Sequence, residues 1–231
     1  MITSNFVYNN NNYIFNYNPN DPSELWCLDE IVINNDYLLD NFINNINKNF
    51  IDIGANCGVA TIILAKQNPL STIYSFEPDP RVYEVLKSNV TANELNNVKL
   101  FNFAVSKKNN ILELFYHPHY SGGNTTYSDS KSFNNYFNLN AESINIKTIS
   151  LDEIISNNSI DSIELLKIDC EGAEYDIIYD SQEFKNNKIK NIVGEFHNLC
   201  YNNKVINRAE ELIDYSKKYI SGIFKINILN V

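Results

Sequence analysis

Residues 50–58 read Phe50-Ile51-Asp52-Ile53-Gly54-Ala55-Asn56-Cys57-Gly58, and Tyr74-Ser75-Phe76-Glu77-Pro78 follows. Each segment is a short apolar run carrying an acid, at its end or just before a glycine turn, which is the pattern of a strand buried on both faces and opening into a functional loop. Glu77 lies 19 residues past Gly58. An acid at about that distance beyond a glycine turn is placed to accept hydrogen bonds from two ribose hydroxyls, since an ionised carboxylate needs no proton of its own. An ordinary strand-to-helix turn, with glycines serving only packing, would read the same way at lower resolution. The chain has only 7 glycines, however, and two of them fall in this turn.

The turn also separates cofactor classes. A dinucleotide site wants Gly-x-Gly-x-x-Gly, so that backbone can close on a pyrophosphate. Here the spacing is Gly54-x-x-x-Gly58, Asn56 stands where the middle glycine would be, and Asp52 adds negative charge nearby. An acid at that point repels a pyrophosphate and suits the cationic amino group of S-adenosylmethionine. The sequence therefore predicts cofactor contacts from Asp52, Gly54, Asn56 and Gly58, with Glu77 on the ribose and Asn102, or the backbone near Phe103 and Ala104, near the adenine.

A third segment, Leu165-Leu166-Lys167-Ile168-Asp169-Cys170-Glu171-Gly172-Ala173-Glu174, repeats the pattern of strand, acid and glycine turn. With Ile51-Asp52-Ile53-Gly54-Ala55-Asn56-x-Gly58, Phe76-Glu77-Pro78, Ala104-Val105-Ser106 and Val193-Gly194-Glu195-Phe196-His197, it resembles the FkbM-type S-adenosylmethionine-dependent methyltransferases over about residues 48 to 200. The resemblance implies a Rossmann-like class I methyltransferase fold and methyl transfer, typically to a hydroxyl. The expected activity is O-methylation of a sugar, glycan or other small molecule. A noncatalytic cofactor-binding partner module is the alternative, and an NAD-dependent oxidoreductase stands third because of Asn56.

For a hydroxyl acceptor a proton must be removed, and the candidate bases are Asp169, Glu171 and His197. Histidine starts nearer neutrality than a carboxylate. Strand alternation puts Glu195 and His197 on one side, so Asp169, Glu195 and His197 could also surround a divalent cation. No metal site is assigned from sequence. Glu174, at a helix start, could simply favour the helix dipole.

Length and composition bound the rest. At 231 residues the chain fits one domain of residues 48–231 preceded by a small extension, residues 1–47. Net charge is −10, which argues against nucleic acid and against an anionic membrane as partner. The four cysteines form no Cys-x-x-Cys pair, so free thiols and a reducing, cytoplasmic compartment are expected. No signal peptide and no long apolar run is read. The asparagine richness is read as codon bias with little chemistry.

Along the chain, Phe6–Phe15 predicts a hairpin, Asp21-Pro22-Ser23 a helix start, and residues 36–47 a helix. Strands alternating with helices from Phe50 onward predict a mostly parallel, doubly wound α/β sheet. Val98–Ala104 reads as one strand. His117 to Asn124, with Gly122-Gly123, reads as a hinged loop covering the acceptor, continuing into an aromatic stretch through Tyr127, Phe133, Tyr136 and Phe137. The aromatic N-terminal segment could equally serve as an acceptor wall or a homodimer interface.

Overall fold

The structure, a computed structural model, describes residues 1–127, 142–201 and 204–230. Phe133, Tyr136 and Phe137 lie outside the described residues. Strands β1 (Ile2–Tyr8) and β2 (Asn11–Tyr17) form the expected hairpin, followed by helix α1 (Ser23–Leu28). Strand β3 (Asn49–Ile53), α2 (Val59–Gln67), β4 (Thr72–Phe76), α3 (Pro80–Ala92) and β5 (Val98–Phe101) come next. Strands β6 (Ala104–Ser106), β7 (Ile111–His117), β8 (Tyr120–Thr125) and β9 (Glu142–Ser150) make a second sheet in the order β6-β9-β7-β8. Helix α4 (Leu151–Asn157), β10 (Ile163–Ile168), α5 (Glu174–Asp180), α6 (Gln182–Lys185), β11 (Ile189–Tyr201), β12 (Lys204–Asn207), α7 (Ala209–Ser216) and β13 (Phe224–Asn230) complete the order.

The central sheet runs β13-β11-β10-β3-β4-β5, every one of these pairs parallel, and β12 joins the far end of β11 antiparallel. This is the expected doubly wound architecture. Strand alternation divides the core. Phe50, Ile73, Leu165 and Val193 face α2, α3 and the N-terminal hairpin, while Ile51, Phe76, Leu166 and Phe196 face the side of α4, α5 and α7. Helix α2 is buried on nearly its whole circumference, because the sheet covers one side and Tyr13 and Phe15 of β2 cover the other.

The hairpin is held by an unusual edge cap. Asn93 of the α3 C-cap accepts from Ile14 N at 3.0 Å and donates to Ile14 O at 2.7 Å. Asn89 accepts from Asn16 N at 2.6 Å and donates to Asn16 O at 2.9 Å and to Cys57 O at 2.8 Å. Two side-chain amides thus imitate a neighbouring strand and satisfy the free edge of β2.

Three expectations are corrected. Residues 36–47 hold only a 3-10 turn at Leu39–Asn41, because Leu38, Asn44 and Asn47 adopt positive φ (51°, 57° and 53°) and break any helix. The span 98–104 is two strands in two sheets, because Asn102 turns back to donate to the carbonyls of Glu77 and Pro78. Residues 117–124 are not a hinged loop. Tyr120–Thr125 is strand β8, pinned to the start of α1 by Ser121 N donating to Asp21 at 2.8 Å and Gly122 N donating to Ser23 Oγ at 3.0 Å. A Cβ on Gly122 would meet Ser23 Cβ at 3.0 Å, so this glycine admits close approach to α1.

Replacing Asn89 by alanine leaves three backbone groups without their partner and is expected to lower stability by about 2–4 kcal/mol. The exposed Asn96→Ala should change it by less than about 0.5 kcal/mol. Urea unfolding of both variants checks the difference.

Candidate active site

The carboxyl ends of β3, β4 and β10 open into one cavity, of about 1300 Å³ measured out through its mouth. Its floor is fixed by a polar row across the sheet. Asp52 on β3 lies in register with Lys167 on β10 and Ser75 on β4. Lys167 Nζ is 3.4 Å from Asp52, and Thr61 of α2 donates to Asp52 at 2.6 Å while sharing a 2.8 Å hydrogen bond with Ser75. Burial alone would lower the Lys167 pKa, but Asp52 and Asp169 outweigh it and raise it, so the ammonium stays charged. It donates to Gly54 O at 2.6 Å and thereby holds the glycine turn from below.

The turn is built for close approach. Gly54 has φ +72°, and a Cβ there would lie 1.7 Å from Asp169 O. Its N–H and that of Ala55 donate to Phe76 O. Asn56 (φ 49°) donates its backbone N–H to Glu77 Oε2 at 2.9 Å. Asp79 N donates to Glu77 Oε1 at 2.9 Å. Glu77 lines the cavity and is 5% exposed. Burial pushes its pKa up to about 8, against the two amide hydrogen bonds that oppose the shift.

The predicted residues therefore separate. Gly54, Asn56, Glu77, Asp169 and Glu171 line the cavity. Asp52 does not. It is fully buried beneath the turn, where Lys167 and Thr61 take its oxygens, so the expectation that it faces the cofactor's amino group is replaced by one of holding Lys167. Gly58 serves as the positive-φ N-cap of α2, with Leu86 against its open side. Asn102 clasps the β4–α3 loop, and Phe103 and Ala104 line the cavity in its place.

At the β10 end, Tyr37 donates to Asp169 Oδ2 at 2.8 Å. His197 is fully buried behind the cavity wall. Its Nδ1 meets Glu174 Oε1 at 2.8 Å. Its Nε2 is 3.6 Å from Glu171, 3.9 Å from Glu195 and 4.0 Å from Asp169. Burial would lower the ring's pKa, yet Glu171, Glu174 and Asp169 raise it well above the usual range. His197 is shut off from the cavity and is not among its lining residues, so it does not stand where a general base would meet an acceptor, which corrects the sequence expectation for His197. Glu174 also accepts from Cys170 N at 3.1 Å and Gly172 N at 3.3 Å, more than a helix-dipole role requires. Burial and neighbouring acids push Glu171 and Glu195 up to about 8.

Sequence reasoning did not name Lys167, Tyr37, Glu30 or Trp26 as lining residues. Lys167 carried a signal, the one cation in a strand whose other residues from Leu165 onward are apolar. Tyr37, Glu30 and Trp26 are covered only by the expectation that the N-terminal segment could form an acceptor wall, and which of its residues line the cavity depends on the path of that segment. Cys27, Cys57 and Cys170 are free thiols.

Residues 52–219 match the family described as "Methyltransferase FkbM domain". The chain belongs to this family. Similar proteins include Methyltransferase 1 of Beauveria bassiana, 25% identical over 65% of this chain and 64% of that protein. Methyltransferase sdnD of Sordaria araneosa is 26% identical over 63% of this chain and 64% of that protein. The 2-O-methyltransferase NoeI of Sinorhizobium fredii is 30% identical over 58% of this chain and 57% of that protein. The chain thus spans less than two thirds of the length of these relatives. A solved structure of M. jannaschii TYW2 in complex with AdoMet is also similar, at 23% identity and a TM-score of 0.28 over 43% of this chain and 42% of that one.

S-adenosylmethionine is the cofactor that family membership assigns to this site, and the residues present fit it. Lys167 is the one Lys or Arg in the described lining, against Glu30, Glu77, Asp169, Glu171 and Glu195, so the cavity favours a cationic ligand. Phe103, Val105, Leu112 and Leu114 give it an apolar side.

Glu77 and Glu24 bind a proton more tightly folded than unfolded, with Glu24 pushed up to about 7 by burial. Between the unfolded value of 4.5 and these raised values the folded state holds the extra protons, so stability falls as pH rises through that window. Scanning calorimetry from about pH 5 to about pH 9 should show Tm declining and then levelling, and Glu77→Gln should flatten part of the slope.

Proposed function

We propose that this chain is an S-adenosylmethionine-dependent O-methyltransferase acting on a hydroxyl of a sugar, glycan or other small polar molecule. The observation that carries the reading is that Glu77, just past the end of β4, and Asp169, just past the end of β10, line the same cavity. Glu77 keeps both oxygens turned by backbone amides and offers the ribose its remaining lone pairs. The bound cofactor supplies an electrophilic methyl carbon on sulfur. Bound there, the cofactor would offer that methyl group to an acceptor oxygen and keep the electron pair on its sulfur, and the residues of this chain would align the acceptor. The hydroxyl proton passes to the carboxylates at the β10 end, Asp169 or Glu171.

Tyr37 donates to Asp169 at 2.8 Å and so orients the carboxylate that would take the proton. The O-methyl outcome is supported by the likeness to NoeI, named a 2-O-methyltransferase. The sugar or glycan class is supported by the aromatic wall. Trp26 and Tyr120 meet edge-on at 5.7 Å beside Tyr37 and Glu30 in the lining, a mixture of ring faces and polar groups that suits a polyhydroxylated acceptor. The alternative, a noncatalytic cofactor-binding module, predicts binding without turnover.

Glu77→Ala should weaken S-adenosylmethionine binding by about tenfold or more in calorimetry, the loss of charge-assisted hydrogen bonds of roughly 1.5–3 kcal/mol. Asp169→Asn should keep cofactor affinity within about twofold while lowering turnover by on the order of a hundredfold. A screen of hydroxylated acceptors that yields no methylated product with the wild-type chain would decide for the module.

A further inference from the structure

We propose that His197, Asp169 and Glu195, with Glu171 beside them, form a binding site for a single divalent cation of the Mn²⁺ type. The inference refines the methyltransferase reading and rests on it only for the cation's purpose, not for its binding.

The geometry is the first support. One ligand atom from each of Asp169, Glu195 and His197 falls within 4.8 Å of the others. From His197 Nε2 the carboxylate oxygens stand at 3.6 Å (Glu171), 3.9 Å (Glu195) and 4.0 Å (Asp169). These separations are too long for hydrogen bonds. They suit atoms sharing one ion. With bonds of about 2.1 Å, neighbouring ligands of an octahedral cation lie roughly 3 Å apart and opposite ligands roughly 4.2 Å apart.

The second support is independent of the acids. Nε2 of His197 is buried and has no hydrogen-bond partner among the described residues. It points into the three carboxylates, while Nδ1 on the other side of the ring meets Glu174 Oε1 at 2.8 Å. A carboxylate on one ring nitrogen fixes the tautomer that leaves the other nitrogen's lone pair for a metal. Glu174 is in turn fixed by the backbone N–H groups of Cys170 and Gly172. Ligand, orienting carboxylate and backbone anchor form a continuous chain.

The donor set selects the ion. One imidazole with two or three carboxylates, and no thiolate among them, suits a borderline-hard divalent ion above soft metals. Asp169, Glu171 and Glu195 line the cavity and His197 closes it from behind. A cation held there would lie at the cavity wall, where it would lower the pKa of an acceptor hydroxyl that reached it, with Asp169 holding the cation and Glu171 placed beside it to take the proton.

The test is titration of the metal-stripped full chain with MnCl₂, followed by electron paramagnetic resonance of free Mn²⁺ and by thermal unfolding. One saturable site with a rise in Tm is expected. Glu195→Gln, with its side chain at the cavity wall, and Glu174→Gln, which touches only His197 in the cluster, should each weaken binding by about tenfold to a hundredfold with far-ultraviolet circular dichroism unchanged. Absence of saturable binding up to about 1 mM Mn²⁺, or equal affinity in wild type and Glu195→Gln, overturns the site and leaves an imidazolium clasped by acids. Mn²⁺ binding without methyl transfer to any acceptor upholds the site and removes the enzyme reading. Full methyl transfer in chelator together with no Mn²⁺ binding does the reverse.

Discussion

Lys167 is the constraint on which the rest of the site depends. An ammonium buried to 3% exposure is tolerated only because every side of it is answered. Asp52 lies 3.4 Å away, Asp169 3.9 Å, the Gly54 carbonyl 2.6 Å, and the Tyr37 ring 5.5 Å to its centroid. Each of these groups belongs to a different segment, β3, the β10 end, the glycine turn and the N-terminal extension. The charge therefore ties together four pieces of chain at the point where the cavity begins. Such a pair adds little net stability over an apolar substitute, but removing one partner strands the other at a cost of about 3–5 kcal/mol. Its worth here is geometric, in fixing where the turn and Asp169 stand.

The distribution of acids follows the same logic. Charge across the chain is −10, and among the described residues five acids line one cavity with a single lysine among them. Burial, with neighbouring acids adding to it, pushes Glu77, Glu171 and Glu195 up to about 8. A cation that enters favours the ionised forms and draws those protons off, whether it is the sulfonium and ammonium of the cofactor or a metal ion.

The asparagines show how composition can conceal structure. Asn89 and Asn93 replace a missing strand along β2. Asn56 takes a positive φ and presents its amide to Glu77. Asn102 closes the loop behind it. An amide side chain carries both a donor and an acceptor, like a peptide group, and asparagine also tolerates the left-handed region. Those two properties, invisible in a residue count, let a drifted composition still build a specific edge and a specific turn.

Local pattern determined the parallel core. Phe50–Ile53, Thr72–Phe76 and Leu165–Ile168 are apolar runs bounded by turns, and strand and helix periods alternate regularly between them, so β3, α2, β4, α3 and β10 were legible from the chain alone. The glycine turn, Glu77 and Asp169 were legible too, because strand ends in such a sheet converge by topology. Tertiary structure alone decided the rest. That Asp52 faces Lys167 rather than the cavity depends on register between β3 and β10. That residues 36–47 are not helical depends on left-handed residues which burial of Tyr37, Leu39 and Phe42 stabilises. That Tyr120–Thr125 is a strand depends on Asp21 and Ser23, about 100 positions earlier. The clustering of His197 with Asp169, Glu171, Glu174 and Glu195 likewise needs β10, α5 and β11 brought together. Periodicity reports which face a residue occupies; only the packed chain reports what that face meets.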